Sequence, residues 1–393
     1  MKRVVYLDNN ATTKVAGEVL EEMLPYFTEL YGNPSSMHSF GGQVEKKITD
    51  ARESVSALIG CTPPELVFTS CGTESDNTAI RGVLEANPAK RHIITTKVEH
   101  PAVLNLAKYL QRLGYYVTYL SVDRQGMLDL DELRDSIRGD TALVSIMWAN
   151  NETGTLFPVE KIAQIAKEKG VLFHCDAVQA AGKLPIDMDV VPIDLLSISG
   201  HKIHAPKGVA ALYIRRGTRF NPFLVGGHQE KGRRGGTENV ASIIGFGKAA
   251  ELAQESLGDE MGRVRYLRTR LETALIKSAG GCRLNGHPTE RLPNTCNVSF
   301  EFIEGEGILL LLDEAGIAAS SGSACTSGSL EPSHVLRAMG VPFTCAHGSI
   351  RFSLSRYTTE EEIDYVIEVV PSIVRRLREI SPFAQAAGAQ KIS

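Results

Sequence analysis

What most constrains this chain is a repeated unit: a short apolar run, a polar loop, then a segment with helical spacing. Residues 66–69, 92–96, 116–120, 143–148, 171–175 and 195–199 are buried-strand candidates, several of them parted by helix-length stretches. Strands that alternate with helices in this way build a largely parallel sheet with crossover helices on its faces. The run 209–214, close behind Lys202, is expected to be a strand joined without a helix. Two helices are expected early in the chain. Val19, Leu20, Met23, Leu24, Phe27 and Leu30 keep helical spacing, as do Val44, Ile48, Ala51, Val55, Leu58 and Ile59, with loop chemistry at 31–36 between them.

Helical periodicity returns at 240–278, after which the pattern becomes α+β. Residues 297–302 and 349–354 read as strands. Thr358, with Glu361 three positions on, reads as a capping box. It opens a helix whose stripe is Ile363, Val366, Ile367, Val370, Ile373, Val374 and Leu377. The expected fold class is α/β: a large domain with a mostly parallel sheet flanked by helices, plus a smaller α+β C-terminal domain.

Composition excludes several functions. The 393 residues are 43% apolar, enough for a large core, and a net charge of −4 gives nucleic acid no basic surface. The longest aliphatic stretch, 308–312, is far short of the ~18 residues a membrane span needs. The N-terminus turns polar too soon for a signal-peptide core. A soluble, cytoplasmic protein with neither nucleic-acid nor membrane partner is expected. Seven scattered cysteines without a C-x-x-C pair argue against a disulfide framework or a zinc ribbon. No resident metal is expected; a metal or iron–sulfur binder using Cys175, His201 and His204 is the alternative from another class.

In open α/β sheets ligands bind beyond the carboxyl ends of the strands, so the residues following each strand matter most. They are Cys71-Gly72-Thr73-Glu74-Ser75, Glu99-His100, Asn150-Asn151-Glu152-Thr153-Gly154, Asp176 with Gln179, and Gly200-His201-Lys202. Gly72 and Thr73 opening a helix offer N–H groups and a hydroxyl to a phosphate; taken alone, those residues more often make an ordinary helix cap. Asp176, ending an apolar strand, suits a protonated ring nitrogen, or else a helix cap or a lysine partner. Lys202 in a tight loop suits an amine with lowered pKa that forms a Schiff base. His100 is placed to stack on an aromatic ring and move a proton, or is a satisfied structural histidine. Phosphate cradle, Asp and Lys are the parts a protein supplies to pyridoxal phosphate. Cys325 stands among small residues, Ser-Ser-Gly-Ser-Ala-Cys-Thr-Ser-Gly-Ser, in a loop that cannot build a core and is expected to move, which makes it the candidate nucleophile.

The segments Asp8-Asn9-Asn10-Ala11-Thr12-Thr13, Gly72-Thr73-Glu74-Ser75, Glu99-His100, Asp176-Ala177-Val178-Gln179, Ser199-Gly200-His201-Lys202, Arg234-Gly235-Gly236-Thr237-Glu238-Asn239 and Ser320-Ser321-Gly322-Ser323-Ala324-Cys325 together resemble those of cysteine desulfurases. These are class V, fold-type I pyridoxal-phosphate enzymes, and the resemblance runs in order through nearly the whole chain. It implies a large cofactor-binding domain at 15–255 and a small domain of 1–14 and 256–393 that carries the Cys325 loop.

The resemblance also implies a covalent aldimine of pyridoxal 5'-phosphate on Lys202, with Asp176 on its ring nitrogen and Gln179 on its phenolic oxygen. Gly72, Thr73, Ser199 and His201 then hold the phosphate, joined by Thr237 from the other subunit of a homodimer. Arg351 and Asn151 take the substrate carboxylate, Asn151 also belonging to the cofactor site, and Asn10 and Asn33 line the substrate pocket. His100 stacks on the ring and assists proton transfer. L-cysteine would become L-alanine, and the sulfur would stay on Cys325 as a persulfide. The implied acceptor is an iron–sulfur scaffold protein (NifU-like or IscU-like), whose cluster Cys325 would contact. The stretches 326–334 and 342–348 lean toward the nitrogen-fixation type over the housekeeping type. The alternatives are other class V enzymes: a selenocysteine lyase, an aminotransferase or a kynureninase.

Overall fold

Twelve strands form where β-branched and aliphatic residues cluster. In a computed structural model describing residues 4–321 and 332–382, they are β1 (Val5–Tyr6), β2 (Leu66–Thr69), β3 (His92–Thr96), β4 (Tyr116–Leu120), β5 (Thr141–Ser145), β6 (Leu172–Asp176), β7 (Leu195–Ser199), β8 (Ala210–Ile214), β9 (Cys282–Leu284), β10 (Thr295–Phe300), β11 (Ile317–Ala318) and β12 (Ser349–Ser353). Seven make one sheet in the order β2-β8-β7-β6-β5-β3-β4. Its strands run parallel except β8, which is antiparallel to both neighbours. That exception follows from the short link between β7 and β8, with no crossover helix to return the chain.

Both faces of this sheet are covered, so its central strands are buried throughout rather than on alternate residues. Helices Ser39–Ile59 and Val240–Glu255 pack together on one face, and Gly72–Ala86 with Pro101–Arg112 cover the other. Gly60 ends the first of these in the left-handed region, φ 63°, where a side chain would be strained. A separate apolar core joins the antiparallel sheet β12-β10-β9 to helices Arg265–Ser278, Gly305–Glu314 and Glu360–Ile380. Val5 and Leu7 belong to this second core, because β1 pairs with β11 and Asp8 bridges to Ser353. The N-terminal segment is thereby pinned between the two cores.

Three expectations need correcting. The early helix breaks into Gly17–Met23 and Pro25–Thr28 at Pro25, and Leu20, Leu24 and Phe27 are left exposed while Val19, Met23 and Tyr26 are buried. The last helix is capped by Thr359 with Glu362, one residue later than expected. Thr358 is instead buried, its hydroxyl accepting the Ser355 N–H at 3.0 Å. The helical periodicity at 240–278 is borne out, with a π-helical turn, Glu260–Val264, ahead of its second half. Strand β5 stops at Ser145, so residues 146–148 belong to the segment that leads into the cleft. Among the described residues, no helix is long and apolar enough to cross a membrane.

The contact between helices Ser39–Ile59 and Val240–Glu255 depends on Gly247, where an added Cβ would lie 2.6 Å from Ala51 Cα. Gly247→Leu should therefore force the helices apart and cost about 1–3 kcal/mol or more. Urea denaturation checks this; an unchanged midpoint would mean the helices are free to slide.

Candidate active site

The carboxyl ends of β2, β3, β6 and β7, with the loop leading on from β5, all open into one cavity of about 1330 Å³. Gly72 and Thr73 reach it from the end of β2, His100 from β3, Met147 and Asn151 from the chain after β5, Asp176 and Gln179 from β6, and Ser199, His201 and Lys202 from β7. The remaining wall comes from the pinned N-terminal segment (Asp8, Asn10, Ala11), from Arg351 on β12, and from Ser333 and His334.

Lys202 is at the centre of the hydrogen bonding. Its Nζ donates to the carbonyls of Asn10 at 2.6 Å and Ala11 at 2.7 Å. Burial first, then the positive charges of Lys183 and Arg351, bring its pKa down to about 7. An amine so placed is substantially neutral near neutrality and is nucleophilic. Asp176 is buried, and one of its oxygens accepts the Val178 N–H at 2.9 Å. Burial raises its pKa, while His100 and Lys202 oppose that rise. His100 caps helix Pro101–Arg112 by accepting the Ala102 N–H at its Nδ1, and desolvation lowers its pKa. His201 is held by Thr12 at 3.1 Å, and burial with nearby lysines brings it down to about 4. It acts as a neutral ring.

Arg351 is buried and paired with Asp8 at 2.8 Å, and it donates a second bond to the Asn151 carbonyl at 2.9 Å. Asn10 is also buried. Its amide bonds Thr295 at 2.8 Å, the Asn151 carbonyl and Asn294, and its own carbonyl accepts from Gln179 and Lys202. Asn10 therefore ties the two cores to the cleft. Two expected residues lie apart from the cavity lining. Asn33 is exposed in its turn, accepting the Ser35 N–H, and Thr237 is exposed in the loop before helix Val240–Glu255. Cys325 lies outside the described residues.

The cavity suits pyridoxal phosphate. Ser199 Oγ is buried without a hydrogen-bond partner. It stands beside Gly72, where an added Cβ would crowd Val178 at 3.0 Å and lie 3.7 Å from Ser199. First-turn N–H groups of a helix lack intrahelical partners, and those of Gly72 and Thr73 open helix Gly72–Ala86. Phosphate satisfies the hydroxyl and this turn, a protonated ring nitrogen satisfies Asp176, and an aldehyde satisfies the neutral amine. By contrast, among the described residues no three His, Cys, Asp or Glu side chains gather to hold a metal ion. Cys175 is buried and its thiol is pushed far up.

Sequence reasoning missed a set of buried polar groups at and around this cleft. Asp76 lies one turn along helix Gly72–Ala86, with His174 Nε2 at 3.6 Å. Glu99 accepts from the Met147 N–H at 3.0 Å and from Thr96 at 2.8 Å. His334 bonds the Glu99 carbonyl at 3.0 Å. The available signals were Asp76 four residues after Gly72, on the same helix face, and Glu99 ahead of a Pro-led helix.

Comparisons with known proteins agree on one family. The sequence model of the family described as aminotransferase class-V matches residues 5–366. A cysteine desulfurase of Trichormus azollae is 64% identical over 380 residues, covering 97% of this chain and 95% of that protein. The cysteine desulfurase NifS of Azotobacter vinelandii is 59% identical over 385 residues, covering 98% and 96%. Among solved structures, a NifS-like protein superposes with a TM-score of 0.90 at 43% identity, covering 95% of this chain and all of the other. SspA in complex with cysteine superposes with a TM-score of 0.79 at 36% identity, covering 90% and 99%.

Burial brings Glu99 from its ordinary value of 4.5 up to about 8. The folded chain thus keeps a proton that the unfolded chain releases. The stability from that protonated carboxyl is complete below about pH 4.5 and is lost as pH rises toward about 8. Glu99→Gln should remove this component, so the wild type should lose stability relative to the variant between pH 5 and pH 8. Parallel urea titrations at the two pH values check it; a constant difference would mean Glu99 is not held protonated.

Proposed function

This chain belongs to the aminotransferase class-V family as a pyridoxal-phosphate-dependent cysteine desulfurase, and from that premise we propose the residues that do the work and the destination of the sulfur. The observation that carries the proposal is the convergence of Lys202, Asp176, Ser199 and His100 on one cavity. Lys202 would attach the cofactor, Asp176 would pair with its ring nitrogen and Gln179 with its phenolic oxygen, and Gly72, Thr73, Ser199 and His201 would hold its phosphate. Asn151 completes the cofactor site. Bound pyridoxal phosphate supplies an electron sink that acidifies the α-proton of an amino acid.

The chain's own residues perform the rest. Arg351 binds the carboxylate of L-cysteine, flanked by Asn151, with Asn10 and Asn33 assigned to the same pocket. Lys202, displaced by the substrate amine and neutral near pH 7, takes the α-proton. His100 stacks on the ring and moves a proton at the departing sulfur. The Cys325 thiolate attacks that sulfur: a sulfur–sulfur bond forms, the substrate's carbon–sulfur bond breaks, and the carbon skeleton leaves as alanine after protonation. Cys325 holds the persulfide.

The same reading makes the protein a cytoplasmic homodimer in which Thr237 serves the neighbouring subunit's phosphate site. Its exposure outside the cavity lining supports that. The division into 15–255 and 1–14 with 256–393 is supported by the separate core that unites Val5 and Leu7 with the C-terminal helices. The persulfide is proposed to pass to an iron–sulfur scaffold protein for nitrogenase maturation, supported by the likeness to the Azotobacter vinelandii NifS. Faster sulfur transfer to an IscU-like than to a NifU-like scaffold would point to a housekeeping role instead.

With dithiothreitol to strip the persulfide, the purified chain should release alanine from L-cysteine over many turnovers. A yellow protein that forms no alanine would move the assignment to a selenocysteine lyase or aminotransferase. Lys202→Ala should lose the visible band of the covalently held cofactor. Cys325→Ala should still bind cysteine but stop releasing sulfur; wild-type turnover in that variant would remove Cys325 from the mechanism.

A further inference from the structure

Beneath the floor of the cleft lies a lysine that the mechanism above does not use. Lys183 is only 5% exposed, and it stands four residues beyond Gln179 in the turn that follows β6. Its Nζ donates to the Gln179 carbonyl at 3.1 Å and to Gln179 Oε1 at 3.3 Å. The second bond fixes which end of the Gln179 amide is which: Oε1 is occupied by an ammonium, so Nε2 points the other way, toward Asn10, whose carbonyl it meets at 2.9 Å. Because that carbonyl also receives Lys202 Nζ, the two lysines are linked through Gln179 and Asn10.

They also share a second, smaller cavity of about 10 Å³, lined by both lysines together with Glu260 and Arg356. Glu260 reaches this space because the π-helical turn Glu260–Val264 inserts it there, and its Oε2 is buried without a partner. Such turns recur at functional sites.

We propose that Lys183 is a positioning residue for the reaction: it orients the Gln179 amide and sets a positive charge behind Lys202, at the far end of the Gln179–Asn10 bridge. The inference rests on the assignment of Lys202 and Gln179 made above. Electrostatics agree with the geometry. Lys183 is the first of the charges that lower Lys202, followed by Arg351, while Asp176 and Asp8 act against them and His100 and His201 face the same amine. Around Lys183 itself, burial lowers its pKa to about 8, Glu260 raises it and Arg351 lowers it, with His201 and His204 facing it. It is therefore still mostly charged at pH 7, where Lys202 is poised.

The test is competitive trace acetylation of the full-length chain freed of cofactor, with acetic anhydride as reagent, read lysine by lysine by peptide mass spectrometry across pH. In the wild type, added pyridoxal phosphate should protect Lys202. Absence of protection would overturn the Lys202 assignment, and this inference with it. With protection established, Lys183→Met should move the Lys202 midpoint up by about one pH unit, a roughly fivefold loss of neutral amine at pH 7. An unmoved midpoint in folded Lys183→Met overturns the inference and leaves the assignment of Lys202 standing. Should Lys183→Met fail to fold, Lys183→Gln serves: it too removes the charge, and an unmoved Lys202 midpoint in folded Lys183→Gln overturns the inference.

Discussion

Everything at this site depends on an amine being buried without a carboxylate of its own. Lys202 is received by two backbone carbonyls, those of Asn10 and Ala11, which are dipoles and not charges. Carbonyls satisfy an ammonium's hydrogen bonds but do not neutralise it, so desolvation dominates and the pKa falls. A carboxylate in the same place would pin the proton on the lysine and end its use as a nucleophile or base. The need for backbone acceptors explains the route of the N-terminal segment. It leaves the C-terminal core at β1, bridges to Ser353 through Asp8, and delivers residues 10 and 11 across the mouth of the parallel sheet. The joining of the two cores and the tuning of the lysine are one structural fact.

The buried carboxyls follow the same logic with opposite sign. Asp76, Glu99 and Asp176 lie close enough that each feels at least one of the others, and burial raises all three. They differ in what opposes the rise. Only Asp176 has His100 and Lys202 working to keep it ionised, and its backbone partner is a single N–H, so it has acceptor capacity left for a cationic ring nitrogen. Glu99 spends its capacity on Met147 and Thr96 and keeps its proton. Of the three, Asp176 is the one whose rise is opposed by cations at the cleft, while Glu99 is held protonated. His174, buried and held neutral between Ser145 and Ser197, lies 3.6 Å from Asp76 without adding charge.

The α/β class, strand β8 joined to β7 without a helix, and the strand ends that meet at the cleft were all legible. They rest on hydrophobic period and on the chemistry of the residue that follows a strand, both of which are local. What was not legible is what depends on packing against distant elements. The cap of the last helix slipped from Thr358 to Thr359 because Ser355 claims the Thr358 hydroxyl. The first helix's apolar stripe is half exposed because Pro25 breaks it and turns its outer side away from the core. The positions of Asp8 beside Arg351 and of Lys183 behind Lys202 needed the third dimension. Each is an ordinary charged residue in sequence.

Asp8 shows how such a distant partner bears on the reaction as proposed. Arg351 is buried, and leaving a buried charge alone costs about 3–5 kcal/mol. In the free protein Asp8 supplies the anion at 2.8 Å, and Asp8 is itself partly open to the cleft. The ion pair holds the arginine fork in place before binding, so a substrate carboxylate bound at Arg351 as proposed would meet a guanidinium that is already oriented toward the cleft. A buried guanidinium facing the cleft favours ligands that carry a carboxylate over those that do not.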